Sequence, residues 1–360
     1  MQCLRSAIST SNATSMKLYN ILCFFFCRYA AAQHVQQESS WYLTDTHIHA
    51  IPPIYAAALQ NAGGDPSGFP TPNWTVQGTF GSLKTTGSAK AVLSISAPGI
   101  PVLGRGESAR ELCRKTNIYL AELADKHPHR LDFFGALPDW RDVNGTLHEI
   151  DFLYSTQKTA VGVGIYTAYG DHLPGDPLFE PIWDRLEEYG ALVFMHPGTM
   201  KVDPFFIGGF LPQPIVDYPQ QTTRAAVDLV ISGVRSRTPS VDLILSHAGG
   251  TLPFLSQRVA GSLVIPEISS KSRVTAIEAE AQFRRYYYDT ALSGSGTQLN
   301  GLLEATDPSH VLFGTDYPYA PAASIEVQFK EYLAFAEKHP QLSPKVLSRN
   351  AEALISKHRP

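Results

Sequence analysis

The sequence predicts an α/β chain folded as a (β/α)8 barrel, on three observations. Eight short apolar runs recur from Trp41 onward, most of them followed by an amphipathic segment. Runs such as Val92-Leu93-Ser94-Ile95 and Leu243-Ile244-Leu245 are nearly continuous, as strands buried on both faces of a parallel sheet require. An open doubly wound sheet, the alternative, would want a glycine-rich phosphate turn after its first strand, but His47-Ile48-His49-Ala50-Ile51-Pro52-Pro53 stands there.

In chain order, strands are expected at 42–49, 90–96, 131–137, 160–166, 191–196, 242–247, 285–290 and 310–316. Helical spacing of apolar residues falls between them at 108–126, 147–156, 178–189, 222–234, 272–282 and 297–305, and two more helices, 325–338 and 344–357, close the chain. Residues 52–87, rich in Gly, Pro, Asn and Thr, read as an insertion after the first strand. Residues 198–221, with Phe205-Phe206-Ile207-Gly208-Gly209-Phe210, read as a second long connection. Connections this long are usually functional or disordered, and both leave the C-terminal ends of strands, where a barrel places its site. Thr222 is expected to cap the helix that follows.

Residues 41–360 thus form a single barrel domain, and 1–40 a leader. In the leader, Arg5, Lys17 and Arg28 are the only charged residues before Glu38, an apolar run lies at 18–27, and Ala30-Ala31-Ala32 follows. Read from Met16, this has the order of a short secretory signal; the other reading is a plain extension on a cytoplasmic protein. The run is too short for a stable membrane span, which needs about 20 apolar residues.

The formal net charge of -4 carries no basic excess, which argues against nucleic acid as a partner. Of four cysteines, Cys3, Cys23 and Cys27 lie in the leader and only Cys113 in the body, so any metal must be held by nitrogen and oxygen.

Histidines and one aspartate fall where a barrel builds its site. His47 and His49 close the first strand at i and i+2, on one face. His196 ends the fifth strand, His247 the sixth, and Asp316 the eighth. Imidazole and carboxylate donors converging on one mouth suit a divalent ion with an open position, zinc or manganese. A single histidine at a strand end is more often structural, and Thr315-Asp316 alone could start a turn, but five such residues at four strand ends are not explained that way. Arg224 is a candidate for a substrate anion, and Phe205, Phe206, Phe210 and Tyr317 for walls around an aromatic ring.

D-T-H-I-H, F-M-H-P-G, L-S-H-A-G-G and F-G-T-D-Y-P, in this order, resemble the amidohydrolase-related decarboxylases, a group that includes aminocarboxymuconate-semialdehyde and resorcylate decarboxylases. The likeness covers nearly the whole chain after Trp41; I-P-P-I-Y-A-A-A-L and F-F-I-G-G-F look closest to fungal 6-methylsalicylate decarboxylases. The resemblance implies a TIM barrel of the metal-dependent hydrolase type. It implies His47, His49, His196 and Asp316 as ligands of one divalent ion, with His247 as a catalytic histidine beside it. It also implies a homodimer and a small aromatic carboxylic acid as substrate. The implied reaction is metal-dependent, non-oxidative removal of CO2 from an ortho-hydroxy aromatic acid, 6-methylsalicylate giving m-cresol, in polyketide secondary metabolism. Asp316 is favoured as proton donor, with the reverse assignment to His247 as the alternative. Hydrolytic relatives often carry a bridging lysine after the fourth strand; Ala160-Val161-Gly162-Val163-Gly164-Ile165-Tyr166 has none, which points to a mononuclear site. A metal-dependent hydrolase of a lactone or amide is the competing enzyme reading, and a barrel that only binds is a third, disfavoured because all five residues are present.

Overall fold

Alternation along each strand decides which side chains enter the barrel. The computed structural model describes residues 43–157 and 159–359, and both readings of the leader fall outside them. Eight parallel strands follow one another in sequence order: β1 (Leu43–His49), β2 (Ser88–Ser94), β3 (Leu131–Gly135), β4 (Ala160–Tyr166), β5 (Leu192–His196), β6 (Asp242–Leu245), β7 (Tyr287–Asp289) and β8 (Val311–Leu312). The segment after β8 closes onto β1. Ile48 bridges Tyr317 in parallel, Thr46 N donates to Phe313 O at 2.9 Å, and the amides of Thr315 and Asp316 donate to His47 O at 3.2 and 2.8 Å. The predicted (β/α)8 barrel is the observed fold.

Inside, Val92, Phe134, Val161, Leu192, Phe194, Ile244 and Leu312 form one apolar plug with Ala351, Leu354 and Ile355 of the last helix. That helix therefore floors the end opposite the site. Its last turn is tied to strand starts: Lys357 Nζ and His358 Nε2 each lie 2.7 Å from Asp242 Oδ2, and Arg359 lies 2.7 Å from Asp132 Oδ2.

The helices are α1 (Pro53–Asn61), α2 (Val76–Thr86), α3 (Glu107–Lys126), α4 (Val143–Thr156), α5 (Glu180–Glu188), α6 (Gln213–Ile231), α7 (Val234–Arg237), α8 (Leu252–Ser262), α9 (Pro266–Ser269), α10 (Ala276–Arg284), α11 (Gly296–Ala305), α12 (Ala322–Ala336) and α13 (Pro344–His358). The insertion after β1 is thus largely helical. Thr75 caps α2 by accepting from Gly78 N, and Gly87 ends it at φ 66°. Among the described residues no helix is long and apolar enough to cross a membrane.

Three boundaries near the site differ from expectation. Helix α6 begins at Gln213, with Pro219 inside it, so Thr222 is no cap; its hydroxyl donates back to Tyr218 O at 3.4 Å. Strands β6 and β8 stop short of their site residues because His247 and Asp316 adopt φ of 55° and 66°. The left-handed region costs a side-chain-bearing residue energy, and such strain gathers at functional sites.

Candidate metal centre and substrate cavity

The strand ends bring all five predicted residues together. Donor atoms of His47, His196, His247 and Asp316 lie within 4.8 Å of one another. His49 joins them, its Nε2 being 3.2 Å from His47 Nε2 and 2.9 Å from Asp316 Oδ1. The ring of His49 stands 4.8 Å from that of His196, nearly perpendicular. His47 and His49 are 0% exposed, His196 4% and Asp316 7%, so the donors are withdrawn from water.

Hydrogen bonds at the outer ring nitrogens set which nitrogen faces inward. His47 Nδ1 lies 2.9 Å from Asp289 Oδ2. His196 Nδ1 lies 2.8 Å from Pro197 O, an atom that can only accept. Ser94 Oγ donates to Ile48 O at 3.3 Å, which leaves it to accept from His49 Nδ1 at 2.8 Å. All three Nδ1 atoms therefore carry a proton, and all three Nε2 atoms point into the site, where a cation would take the place of any proton they hold. His247 differs: its Nδ1 is buried without a hydrogen-bond partner among the described residues, and its Nε2 lies 3.6 Å from Asp316 Oδ2.

The electrostatics call for positive charge at this point. Burial alone would lower His47, but Asp289 and then Asp316 overcome it and push the imidazole up to about 10. Burial, reinforced by His49, His47 and His247, drives His196 well below the ordinary histidine range. Burial works to raise Asp316, yet hydrogen bonds with His247, His47 and His49 hold it well down, as a carboxylate. Inward-facing nitrogen and oxygen donors and a fixed anion fit a divalent cation.

Asp289, absent from the sequence prediction, holds two site histidines at once. It takes the His47 ring on Oδ2 and accepts from His247 N at 3.0 Å and Ala291 N at 2.9 Å on Oδ1. Its signal was positional, a carboxylate closing β7 as Asp316 follows β8. Asp45 braces the same seam: it accepts from Thr315 Oγ1 at 2.6 Å and from the amides of Thr315 and His47.

A cavity of about 170 Å³ opens beside the centre, lined by His196, His247 and Asp316 and by Phe69, Ala97, Ile215, Tyr218, Leu292 and Tyr319 among others. An apolar cavity of about 150 Å³ is known to hold benzene, so this one admits a single substituted ring. Tyr319 packs its ring against His49 at 5.6 Å, and its buried hydroxyl, near Ser96, makes no well-formed hydrogen bond among the described residues.

None of the five predicted substrate contacts, Phe205, Phe206, Phe210, Arg224 and Tyr317, lines this cavity. Phe206 stacks edge-on to Phe205 at 4.8 Å and the pair covers Gly68. Arg224 is exposed on α6, because the longer helix turns Thr223, not its neighbour, inward. Tyr317 points outward, its hydroxyl filling the space over Gly78 of α2; the inward aromatic is Tyr319, two residues on.

Comparison with known proteins agrees with this geometry. An amidohydrolase family profile (Amidohydro_2) matches residues 44–356. The chain is 39% identical to a 6-methylsalicylic acid decarboxylase of Penicillium expansum, over 80% of this chain and 88% of that one. A crystal structure of an amidohydrolase II superposes with TM-score 0.78 at 25% identity, covering 87% of this chain and 99% of that one. The 5-carboxyvanillate decarboxylase of Novosphingobium aromaticivorans, solved with manganese and 4-hydroxy-3-methoxy-5-nitrobenzoic acid, shares the fold at TM-score 0.72 and 19% identity, over 88% and 97% of the two chains. A profile match across nearly the whole barrel, on strands that carry these ligands, places the chain plainly: it belongs to the amidohydrolase family.

Proposed function

We propose that the protein is a metal-dependent carboxy-lyase that removes CO2 from an ortho-hydroxy aromatic acid, with 6-methylsalicylate, giving m-cresol, as the foremost candidate. The observation that carries the reading is the convergence of three Nε2 atoms and the Asp316 carboxylate at the mouth of a one-ring cavity. The likeness to a 6-methylsalicylic acid decarboxylase supports the substrate class.

His47, His49, His196 and Asp316 would hold the ion, and His247, whose Nδ1 nothing fixes, is left for the substrate. The nitrogen-rich donor set favours zinc, with manganese the alternative. When bound, the ion supplies Lewis acidity toward the phenol and carboxylate oxygens of the ring and fixes its orientation. Asp316, held as a carboxylate, takes the phenol proton and returns it to the ring carbon that bears the carboxylate. The bond to that carboxylate then breaks, its electron pair restores the aromatic ring, CO2 leaves, and the phenolate product takes a proton from water. His247 orients the reacting acid. Apolar walls at Phe69, Ile215 and Leu292 exclude water, which keeps the proton on this path.

The test is to incubate metal-stripped and metal-loaded protein with a panel of hydroxybenzoates and, in parallel, small lactones. CO2 release from ortho-hydroxy acids by the loaded protein alone is expected; lactone hydrolysis without CO2 release would overturn the reading.

A further inference from the structure

The cavity beside the metal centre contains a second acidic residue and, apart from His196 and His247 of the centre itself, no basic one among its lining residues. Asp65, on the connection between α1 and α2, shares the lining with Asp316, and no Lys or Arg is among the lining residues. Asp65 Oδ1 accepts from Ser67 N at 2.8 Å. Burial pushes its carboxyl up from the ordinary range, countered only by hydrogen bonds from Ser67, with no cation offsetting it.

The loop presents this carboxylate in a fixed position. Gly63, Gly64 and Gly68 take φ of 99°, 90° and 81°, a path that side-chain-bearing residues rarely follow. Ser67 O accepts from Gln213 N at 3.4 Å, and Phe205 and Phe206 close over Gly68. The wall around Asp65 is otherwise largely apolar, with Phe69, Ala97 and Ile215.

We propose that Asp65 is a specificity-determining residue that restricts the substrate to aromatic monoacids and turns away rings bearing a second carboxylate. This deepens the decarboxylase reading and rests on it. The reacting carboxylate meets the metal centre; a second one would meet an anion across an apolar cavity with no cation to compensate. Two like charges about 5 Å apart at an effective dielectric near 20 repel enough to lower binding on the order of 100-fold. A methyl group incurs no such penalty, and a neutral ring hydroxyl would find an acceptor.

The experiment compares kcat/KM of the metal-loaded protein for 6-methylsalicylate with that for salicylates carrying a carboxylate at ring position 4, 5 or 6. Wild type, Asp65→Asn and Asp65→Glu are measured at pH 8. Asn keeps an acceptor for Ser67 N and so retains the turn; if it does not fold, Asp65→Ser takes its place. Wild type and Asp65→Glu are expected to prefer the monoacid by about 100-fold, and Asp65→Asn to reduce that preference at least about 10-fold for one or more of the diacids. A binding readout that needs no turnover is the affinity ratio of m-cresol to 3-hydroxybenzoate, which should narrow in the same variant. Asp65→Asn ratios within about twofold of wild type for every diacid and for the binding pair would overturn the proposal. If wild type turns over no aromatic acid, the decarboxylase reading fails, and the binding pair still decides whether Asp65 repels a carboxylate.

Discussion

Replacing Asp289 with Asn perturbs the metal centre without touching a proposed ligand. The two backbone amides on Oδ1, from His247 and Ala291, keep their acceptor, because the Asn carbonyl stands in for that oxygen. On the other side an amide NH2 replaces the carboxylate oxygen 2.9 Å from His47 Nδ1. Two N–H groups then face each other, and the imidazole relieves the clash by moving its proton to Nε2, the atom aimed at the ion. Losing an outer carboxylate of this kind weakens metal binding by about 10- to 100-fold, equivalent to roughly 1.4 to 2.7 kcal/mol. Competition with a fluorescent chelator for zinc and for manganese reads the change directly, with circular dichroism to confirm that the barrel persists. Metal affinity within twofold of wild type would show that Asp289 does not set the His47 tautomer, and the assignment of inward-facing Nε2 donors would fall with it.

Three further outcomes are expected. His247→Ala should retain metal, measured by elemental analysis, and lose most turnover, by about 100-fold or more; loss of metal instead would place His247 among the ligands, as its donor distance allows. Tyr319→Phe removes a buried hydroxyl that makes no well-formed hydrogen bond among the described residues, with Ser96 its nearest polar neighbour of note. It should therefore leave the free protein as stable as wild type or slightly more so, while raising KM or lowering kcat about 10-fold if the substrate supplies the missing partner; unchanged kinetics would assign Tyr319 to packing. At the barrel floor, burial would raise Asp242, but His358 and Lys357 outweigh it and hold it at about 2. A depressed folded-state value contributes stability above the ordinary 3.8 and loses it as pH falls toward 2, so thermal midpoints should drop across that window less steeply in Asp242→Asn than in wild type.

Strand runs such as Leu243-Ile244-Leu245 were legible because burial on both faces leaves an apolar mark in the sequence. His47, His49, His196, His247 and Asp316 were legible for the opposite reason, polar residues ending apolar runs. Asp289 was missed because β7 is three residues long and two of them are tyrosines, so no apolar run framed it. The start of α6 was hidden by Pro219, which reads locally as a breaker but lies inside the helix. Phe206, Arg224 and Tyr317 were chosen by residue type. Type does not say which way a side chain turns, and the left-handed backbone at Asp316 resets the alternation on which such a reading depends.

The seam between β1 and β8 has a consequence for how the site comes into being. Thr46 and Phe313 are 267 positions apart and meet through both the amide and the hydroxyl of Thr46. The paired histidines leave the ribosome long before the aspartate that completes their set, so a nascent chain offers an ion only partial purchase. Occupancy would in this sense be a certificate of completed synthesis: a cation held there would rivet the first strand to the last, and a barrel that breathes along that line would first have to let it go.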